Sequence, residues 1–84
     1  MANLNKMPNI GKTLEKRLQN VGISDAETLV TEGSEAAFMK LRLFEGDTCF
    51  STLCALEGAI QNIRWHYLSN EKKNKLKKFF DEGK

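Results

Sequence analysis

The sequence predicts an all-α fold, a compact bundle of about five helices in a single domain spanning residues 1–84. Apolar residues recur with the spacing of amphipathic helices, and no segment alternates apolar and polar residues as a strand would. With 84 residues, 40% hydrophobic and 29% charged, the chain can bury one small core but not two. Capping residues and glycines divide the helical segments and leave short connections between them.

A tight turn is predicted at residues 7–11, where the sequence reads M-P-N-I-G. Proline fixes φ, Asn9 tolerates the left-handed backbone region, and Gly11 can adopt that region freely. We expect the isoleucine between them to anchor the turn in the core. Residues 1–6 are polar and are expected to fray, with Leu4 as their only anchor.

Three helices are predicted after this turn. The first runs from about Gly11 to Gly22, a glycine placed to end it in the left-handed conformation. The second opens on a capping box formed by Ser24 and Glu27, and the third has Ser34 as its N-cap. Their apolar faces are formed by Leu14, Leu18 and Val21, by Ala26, Leu29 and Val30, and by Ala37, Phe38, Leu41 and Phe44, respectively.

The longest helix is predicted from Asp47 to Trp65 and is expected to lie at the centre of the bundle. Apolar residues at helical spacing form its main face, and small residues beside them widen it. This face consists of Cys49, Leu53, Leu56, Ile60 and Ile63. Gly58 lies inside this helix, where glycine costs about 1 kcal/mol relative to alanine. We therefore expect close approach of another backbone at Gly58, either within the monomer or at a seam between two copies.

A last helix is expected to begin after its N-cap Ser69 and to pack through Leu76 and two phenylalanines. From residue 66 to the end, the sequence has six lysines against three acidic residues, although the net charge of the whole chain is only +2. Lys72, Lys73 and Lys77 form a candidate cationic surface on this helix. The alternative interpretation is an ordinary solvated helix face.

Five short motifs follow one another along the chain, from about Leu4 to Phe80. They read M-P-N-I-G-K, E-A-A-F-M-K-L, C-A-L-E-G-A-I, W-x-x-L and K-L-K-K-F-F. This succession resembles the C-terminal domain of the TfoX/Sxy competence regulators, which usually carry a separate domain in front of it. Residues 7–23 also resemble part of a helix-hairpin-helix element of the SAM-like kind, with Asn9 where many such hairpins have a glycine.

Two functions are compatible with this resemblance. It implies a bacterial regulatory module that takes part in transcriptional control of DNA uptake, through a protein partner of the transcription machinery or through self-association. The alternative is a module that holds duplex DNA phosphates without reading bases. A turn leading into a helix N-terminus offers unpaired N–H groups to a phosphate, and the predicted site comprises Asn9, Gly11, Lys12 and Lys16. The same hairpin could also be only a joint between two helices.

No enzyme activity, cofactor, metal or small-molecule substrate is predicted. No nucleophile is marked to work with His66, the only histidine, and no second carboxylate is spaced to act with Glu57 as an acid–base pair. We expect Glu57 to have a structural role, with backbone N–H groups, Arg42 or Arg64 as its partner. Trp65 is expected to cover one end of the core rather than to stack on bases.

Cys49 and Cys54 are predicted to be reduced core thiols that react slowly. Five residues apart on one helix, their Cβ atoms diverge, which excludes a disulfide between them without unwinding. No cysteine pair has the spacing of metal ligands. The sequence also contains no apolar signal segment and no apolar run of the ~18 residues that a membrane span needs. Together these features predict a cytoplasmic protein that does not contact the membrane.

Overall fold

The computed structural model describes residues 3–46 and 48–82, and all regular structure in these ranges is helical. The helices are α1 (Lys12–Asn20), α2 (Ala26–Glu32), α3 (Ser34–Glu45), α4 (Phe50–Gln61) and α5 (Asn70–Glu82), with short 3-10 turns at Leu4–Lys6 and Trp65–Tyr67. The predicted all-α fold of about five helices is confirmed. Among the described residues, no helix has both the length and the apolar character needed to cross a membrane.

Helix α4 is the centre of the core, as predicted. Every residue from Thr52 to Ala59 is buried, because α3, α5 and the Trp65–Tyr67 turn pack around it. The remaining core is contributed by side chains from all parts of the bundle. Those with no exposed surface include Leu4, Leu18, Ile23, Leu29, Phe38 and Leu41. Leu4 is thus the anchor that the sequence indicated, although Leu4–Lys6 form a 3-10 turn instead of fraying.

The C-terminal end of α4 comes earlier than predicted. Asn62 adopts the left-handed conformation with φ of 63°, and the Ile63 N–H donates to the Gly58 carbonyl oxygen over 2.9 Å. This pattern ends a helix in the way that a glycine cap does. The prediction that the helix continues to Trp65 is therefore wrong. At the other end the helix begins at Phe50, and the predicted start, Asp47, lies outside the described residues.

The late start of α4 separates the two cysteines. Cys49 precedes the helix and is exposed, whereas Cys54 is fully buried, and both are free thiols. Hydrogen bonds from Ser51 and Thr52 lower the pKa of the Cys49 thiol to about 7, while burial raises the pKa of Cys54. The predicted burial is confirmed for Cys54 and is wrong for Cys49.

The caps of α1 and α5 are those that the sequence predicts. Gly22 has φ of 86°, and the Ile23 N–H donates to the Leu18 carbonyl oxygen over 2.9 Å, which closes α1. At the start of α5, the Ser69 hydroxyl accepts from the Lys72 N–H over 3.1 Å. These two helix ends depend on local side-chain chemistry, which is why the sequence located them.

The starts of α2 and α3 differ from the predictions. Asp25 and not Ser24 is the N-cap of α2, and its carboxylate accepts from the Thr28 N–H over 2.8 Å and from the Thr28 hydroxyl over 2.7 Å. For α3 the N-cap is Gly33, with φ of 87°, and Ser34 is the first helical residue. Ser34 is buried, so its hydroxyl bonds to another helix instead of capping its own.

Candidate functional site

The hairpin that precedes α1 takes its left-handed step at Asn9, where φ is 70°. Gly11 is the N-cap of α1 and has an extended backbone, with φ of −95°. A Cβ atom at Gly11 would meet nothing within 4 Å. Gly11 therefore does not take the left-handed conformation that the sequence allowed it, because Asn9 already reverses the chain two residues earlier.

The side chain of Asn9 joins the hairpin to the end of α4. Its Nδ2 donates to the Ile63 carbonyl oxygen over 3.0 Å and to that of Ala55 over 3.3 Å, and its Oδ1 accepts from the Trp65 N–H over 3.2 Å. A Cβ atom at Gly58 would lie 2.6 Å from Asn9 Nδ2 and 2.8 Å from the Ile63 oxygen. The close approach predicted at Gly58 is confirmed, and it occurs inside the monomer.

The other three residues of the predicted phosphate site lie at the exposed start of α1. Gly11, Lys12 and Lys16 are all exposed, and the N-cap Gly11 offers no side chain to the first helical N–H groups. Lys12 and Lys16 line a shallow groove together with Thr13, Arg17 and Asn20. The Asn9 amide is turned inward, so only its backbone remains available to a ligand at this surface. The predicted site thus remains a prediction, with two exposed lysines as its cations.

The third cation in this groove, Arg17, already has an anionic partner. Its guanidinium binds the Glu45 carboxylate over 2.8 and 2.9 Å and donates to the Thr48 hydroxyl over 3.0 Å. Glu45 raises the pKa of Arg17, and Arg17 lowers the pKa of Glu45. The pair fastens α1 to the end of α3. Its partners are far apart in the sequence, which is why no local pattern revealed it.

The candidate cationic surface on α5 is partly neutralised by neighbouring groups. Lys72 Nζ lies 3.8 Å from the Glu57 carboxylate, and Lys73 Nζ donates to the His66 carbonyl oxygen over 3.2 Å. Lys77 Nζ lies 3.4 Å from the Asp81 carboxylate and also packs over two phenyl rings. All three lysines therefore have partners within the domain, which favours the interpretation of a solvated helix face.

Glu57 is a buried structural carboxylate. It accepts from the Ser34 hydroxyl and from Gln61 Nε2, each over 2.6 Å, and so links the start of α3 to α4. The predicted arginine partners are engaged elsewhere or exposed. The Arg42 guanidinium packs over the rings of both Phe38 and Phe80, 4.8 and 4.9 Å from their centroids. Arg64 is exposed.

The second half of α3 carries three apolar side chains that are wholly or partly exposed, Met39, Leu43 and Phe44, and we call them the α3 patch. Leu43 and Phe44 are 80% and 63% exposed, respectively, and Met39 is half-buried. The prediction that Phe44 belongs to the core is wrong. The last turn of α3 is fastened to α1 by the polar Arg17–Glu45 pair, so the buried stripe of the helix stops before Phe44.

The 3-10 turn after α4 carries aromatic rings at three consecutive positions, Trp65, His66 and Tyr67. Trp65 packs against the core, which confirms its predicted place. The His66 ring stacks on the indole with centroids 4.1 Å apart and planes inclined by 27°. His66 is exposed and Tyr67 is 78% exposed. The turn therefore combines a fixed ring with two exposed ones.

Comparisons with known proteins found a matching family model and similar solved structures. The family model of the TfoX C-terminal domain matches residues 1–80. The crystal structure of an uncharacterized protein from Listeria monocytogenes, in a triclinic form, superposes with a TM-score of 0.91 at 49% identity, covering 93% of this chain and 89% of that one. A protein of unknown function from Listeria monocytogenes, in a tetragonal form, gives a TM-score of 0.91 at 45% identity, covering 93% and 96%. No curated protein matches significantly.

The matching family is of a regulatory type and is not a known enzyme family. With the hairpin, the central α4 and most of the basic α5 inside the matched range, the chain belongs to the TfoX C-terminal domain family.

Proposed function

We propose that this domain is a bacterial regulatory module that takes part in the transcriptional control of DNA-uptake genes by binding a protein partner through the α3 patch. The observation that carries the proposal is the exposure of two adjacent large apolar side chains, Leu43 and Phe44. Membership of the TfoX C-terminal family supports the regulatory part. The chemistry of the surface supports the protein partner.

Several features make the α3 patch suitable for a protein partner. Each exposed large side chain leaves apolar area in contact with water, and burying one fully contributes about 1.5 to 3 kcal/mol to the free energy of binding. Beside the patch, Lys40 pairs with Glu32, which gives the patch one polar edge of the kind that surrounds binding hot spots. We therefore expect a partner that inserts apolar side chains, such as an amphipathic helix. Self-association through the same patch is the competing outcome.

The test replaces the gene in its bacterium with a Leu43→Glu, Phe44→Glu variant and measures transcripts of DNA-uptake genes. Val30→Glu is the matched control, because Val30 is 53% exposed on α2 and outside the α3 patch. We expect the double variant to reproduce the effect of deleting the gene and the control to retain normal transcript levels. Sedimentation of the purified proteins distinguishes a partner from self-association. Unchanged transcripts after deletion would refute the regulatory proposal.

A second candidate function is binding of duplex DNA phosphates at the hairpin without reading the bases. The specific observation in its favour is that Lys12 and Lys16 are exposed and have no acidic partner within residues 3–46 and 48–82. One helical turn separates them, so both could reach the same phosphate backbone. Binding of this kind requires no base contacts, because phosphate contacts position a protein without specifying sequence.

This candidate is tested by titrating the protein with a short DNA duplex at two salt concentrations. Lys12→Glu with Lys16→Glu should weaken binding equally for all sequences and reduce the slope of log K against log salt by about two units. Lys75→Glu with Lys78→Glu is the matched control, because it makes the same charge change at exposed positions on α5. An equal loss of DNA affinity in the two double variants would mean that only the net charge matters. Absence of binding at low salt would eliminate the candidate.

A further inference from the structure

The ring row at residues 65–67 serves neither candidate function. Trp65 is fixed against the core, and the His66 ring extends it as a stack with a centroid distance of 4.1 Å. Tyr67, the next residue, is 78% exposed and contributes no fully buried surface to the fold. Within the described part of the chain, the Tyr67 ring stacks on no other ring, so its faces are open to a ligand. Exposed aromatic faces are the groups on which flat ligands stack.

The charges around the ring row favour an anionic ligand. Residues 62–70 contain no aspartate or glutamate, and Arg64 is exposed beside the first ring. Lys73 lies against the His66 backbone, where its Nζ donates to the carbonyl oxygen over 3.2 Å. The nearest acidic residue along the chain is Glu71, in the first turn of α5. Cations and rings thus occupy the same short segment.

The hairpin holds this segment in place. Asn9 accepts from the Trp65 N–H over 3.2 Å and donates to the Ile63 carbonyl oxygen over 3.0 Å, so it fixes the backbone on both sides of Arg64. The ring row is therefore built on a rigid support and not on a free loop. A fixed backbone reduces the conformational entropy that is lost when a base stacks on the rings.

We propose that Arg64, His66 and Tyr67 form a binding surface for single-stranded nucleic acid, with bases stacked on the two exposed rings and a phosphate at Arg64. Bases in a duplex are stacked on one another, whereas those of a single strand can be placed on aromatic side chains. Stacking on rings beside cations tolerates any base. The proposal is independent of both candidate functions, because none of these residues belongs to the α3 patch or to the lysines of α1.

The test uses the fluorescence of Trp65, which is the only tryptophan in the chain. The full chain is titrated with single-stranded oligonucleotides of about 12 nucleotides, a length within the usual site sizes, as DNA and as RNA. We expect quenching on binding, and tighter binding of one strand type would indicate whether the 2′-hydroxyl is contacted. Arg64→Gln should reduce the salt slope by about 0.7, the value for one phosphate of a single strand.

Variants at the exposed rings decide the proposal. Tyr67→Ala should weaken binding about fivefold or more, as expected for the loss of one stacked base, and Tyr67→Phe should retain affinity. Val30→Ala is the control, since Val30 is an exposed apolar residue on α2, outside the α3 patch. Absence of quenching at low salt with both oligonucleotides would overturn the proposal. So would equal binding by wild type and Tyr67→Ala, and in that case sensitivity to Lys12→Glu with Lys16→Glu would assign the binding to the hairpin.

Discussion

The Asn9 side-chain amide donates a hydrogen bond over 3.0 Å to the carbonyl oxygen of Ile63, a residue 54 positions further along the chain. Ile63 directly follows the capped end of α4, so this bond attaches the N-terminal hairpin to the central helix. The backbone of Asn9 is left-handed, with φ of 70°. One short polar residue therefore makes the turn and also fastens it to the core.

Replacing Asn9 should separate these two roles. Asn9→Gly keeps the left-handed backbone but removes three hydrogen bonds, which should lower the free energy of unfolding by about 2 to 4 kcal/mol. Asn9→Ala should cost roughly 1 kcal/mol more, because alanine is disfavoured in the left-handed region. Urea denaturation of the two variants measures the difference. Equal stability of both variants would show that the backbone conformation of Asn9 is not strained for alanine.

A second prediction concerns Gly58, which faces the Asn9 side chain, and uses Gly11 as its control. Gly58→Ala places a methyl group 2.8 Å from the Ile63 carbonyl oxygen, and crowding of this kind costs about 1 to 3 kcal/mol. It should destabilise the protein even though alanine favours helices by about 1 kcal/mol. Gly11→Ala is the control, with open space around its Cβ, and should cost no more than about 1 kcal/mol, through loss of a favourable N-cap residue. A stabilised Gly58→Ala protein would contradict the packing described.

The parts of the fold that the sequence predicted are those determined by local patterns. Amphipathic spacing identified all five helices, and the Gly22 and Ser69 caps were located because their hydrogen bonds join residues close in sequence. The sequence also indicated a left-handed step in the turn, which asparagine tolerates and glycine adopts freely, but it did not decide between Asn9 and Gly11. Gly58 was recognised as a close contact because glycine is costly inside a helix.

The remaining features depend on contacts between distant residues. Nothing near Asn9 in the sequence indicates that its amide would bind the end of α4, and the partners of Glu57 lie on two different helices. The early end of α4 was missed because its left-handed cap is Asn62, whereas a glycine at this position would have been recognised as a helix end. The exposure of Phe44 was missed because periodicity shows which residues share a face but not where the neighbouring helices end.

The shorter α4 changes the expected effects of core truncations. Leu53 has no exposed surface, so Leu53→Ala should lower the free energy of unfolding by about 2 to 5 kcal/mol through lost burial and a cavity. Ile60 is half-buried in the last turn of α4, and Ile60→Ala should cost about 2 kcal/mol or less. Chemical denaturation of both variants gives the comparison. Similar losses would indicate that the end of α4 is packed as tightly as its middle.

The last prediction is that the two thiols differ in reactivity. The pKa of Cys49 is lowered to about 7, chiefly by the Ser51 hydroxyl 3.1 Å away. Because the thiolate is the reactive form, labelling of Cys49 should reach half its maximal rate near pH 7 and increase as the pH rises. Cys54, buried and with a raised pKa, should remain unlabelled under native conditions.

Ser51→Ala should move the Cys49 midpoint towards about 8.5, the ordinary cysteine value, and should leave Cys54 unaffected. Peptide mapping by mass spectrometry at a series of pH values follows both sites at once. A Cys49 midpoint already at the ordinary value in the wild type, or one that does not move in Ser51→Ala, would show that these hydrogen bonds do not stabilise the thiolate.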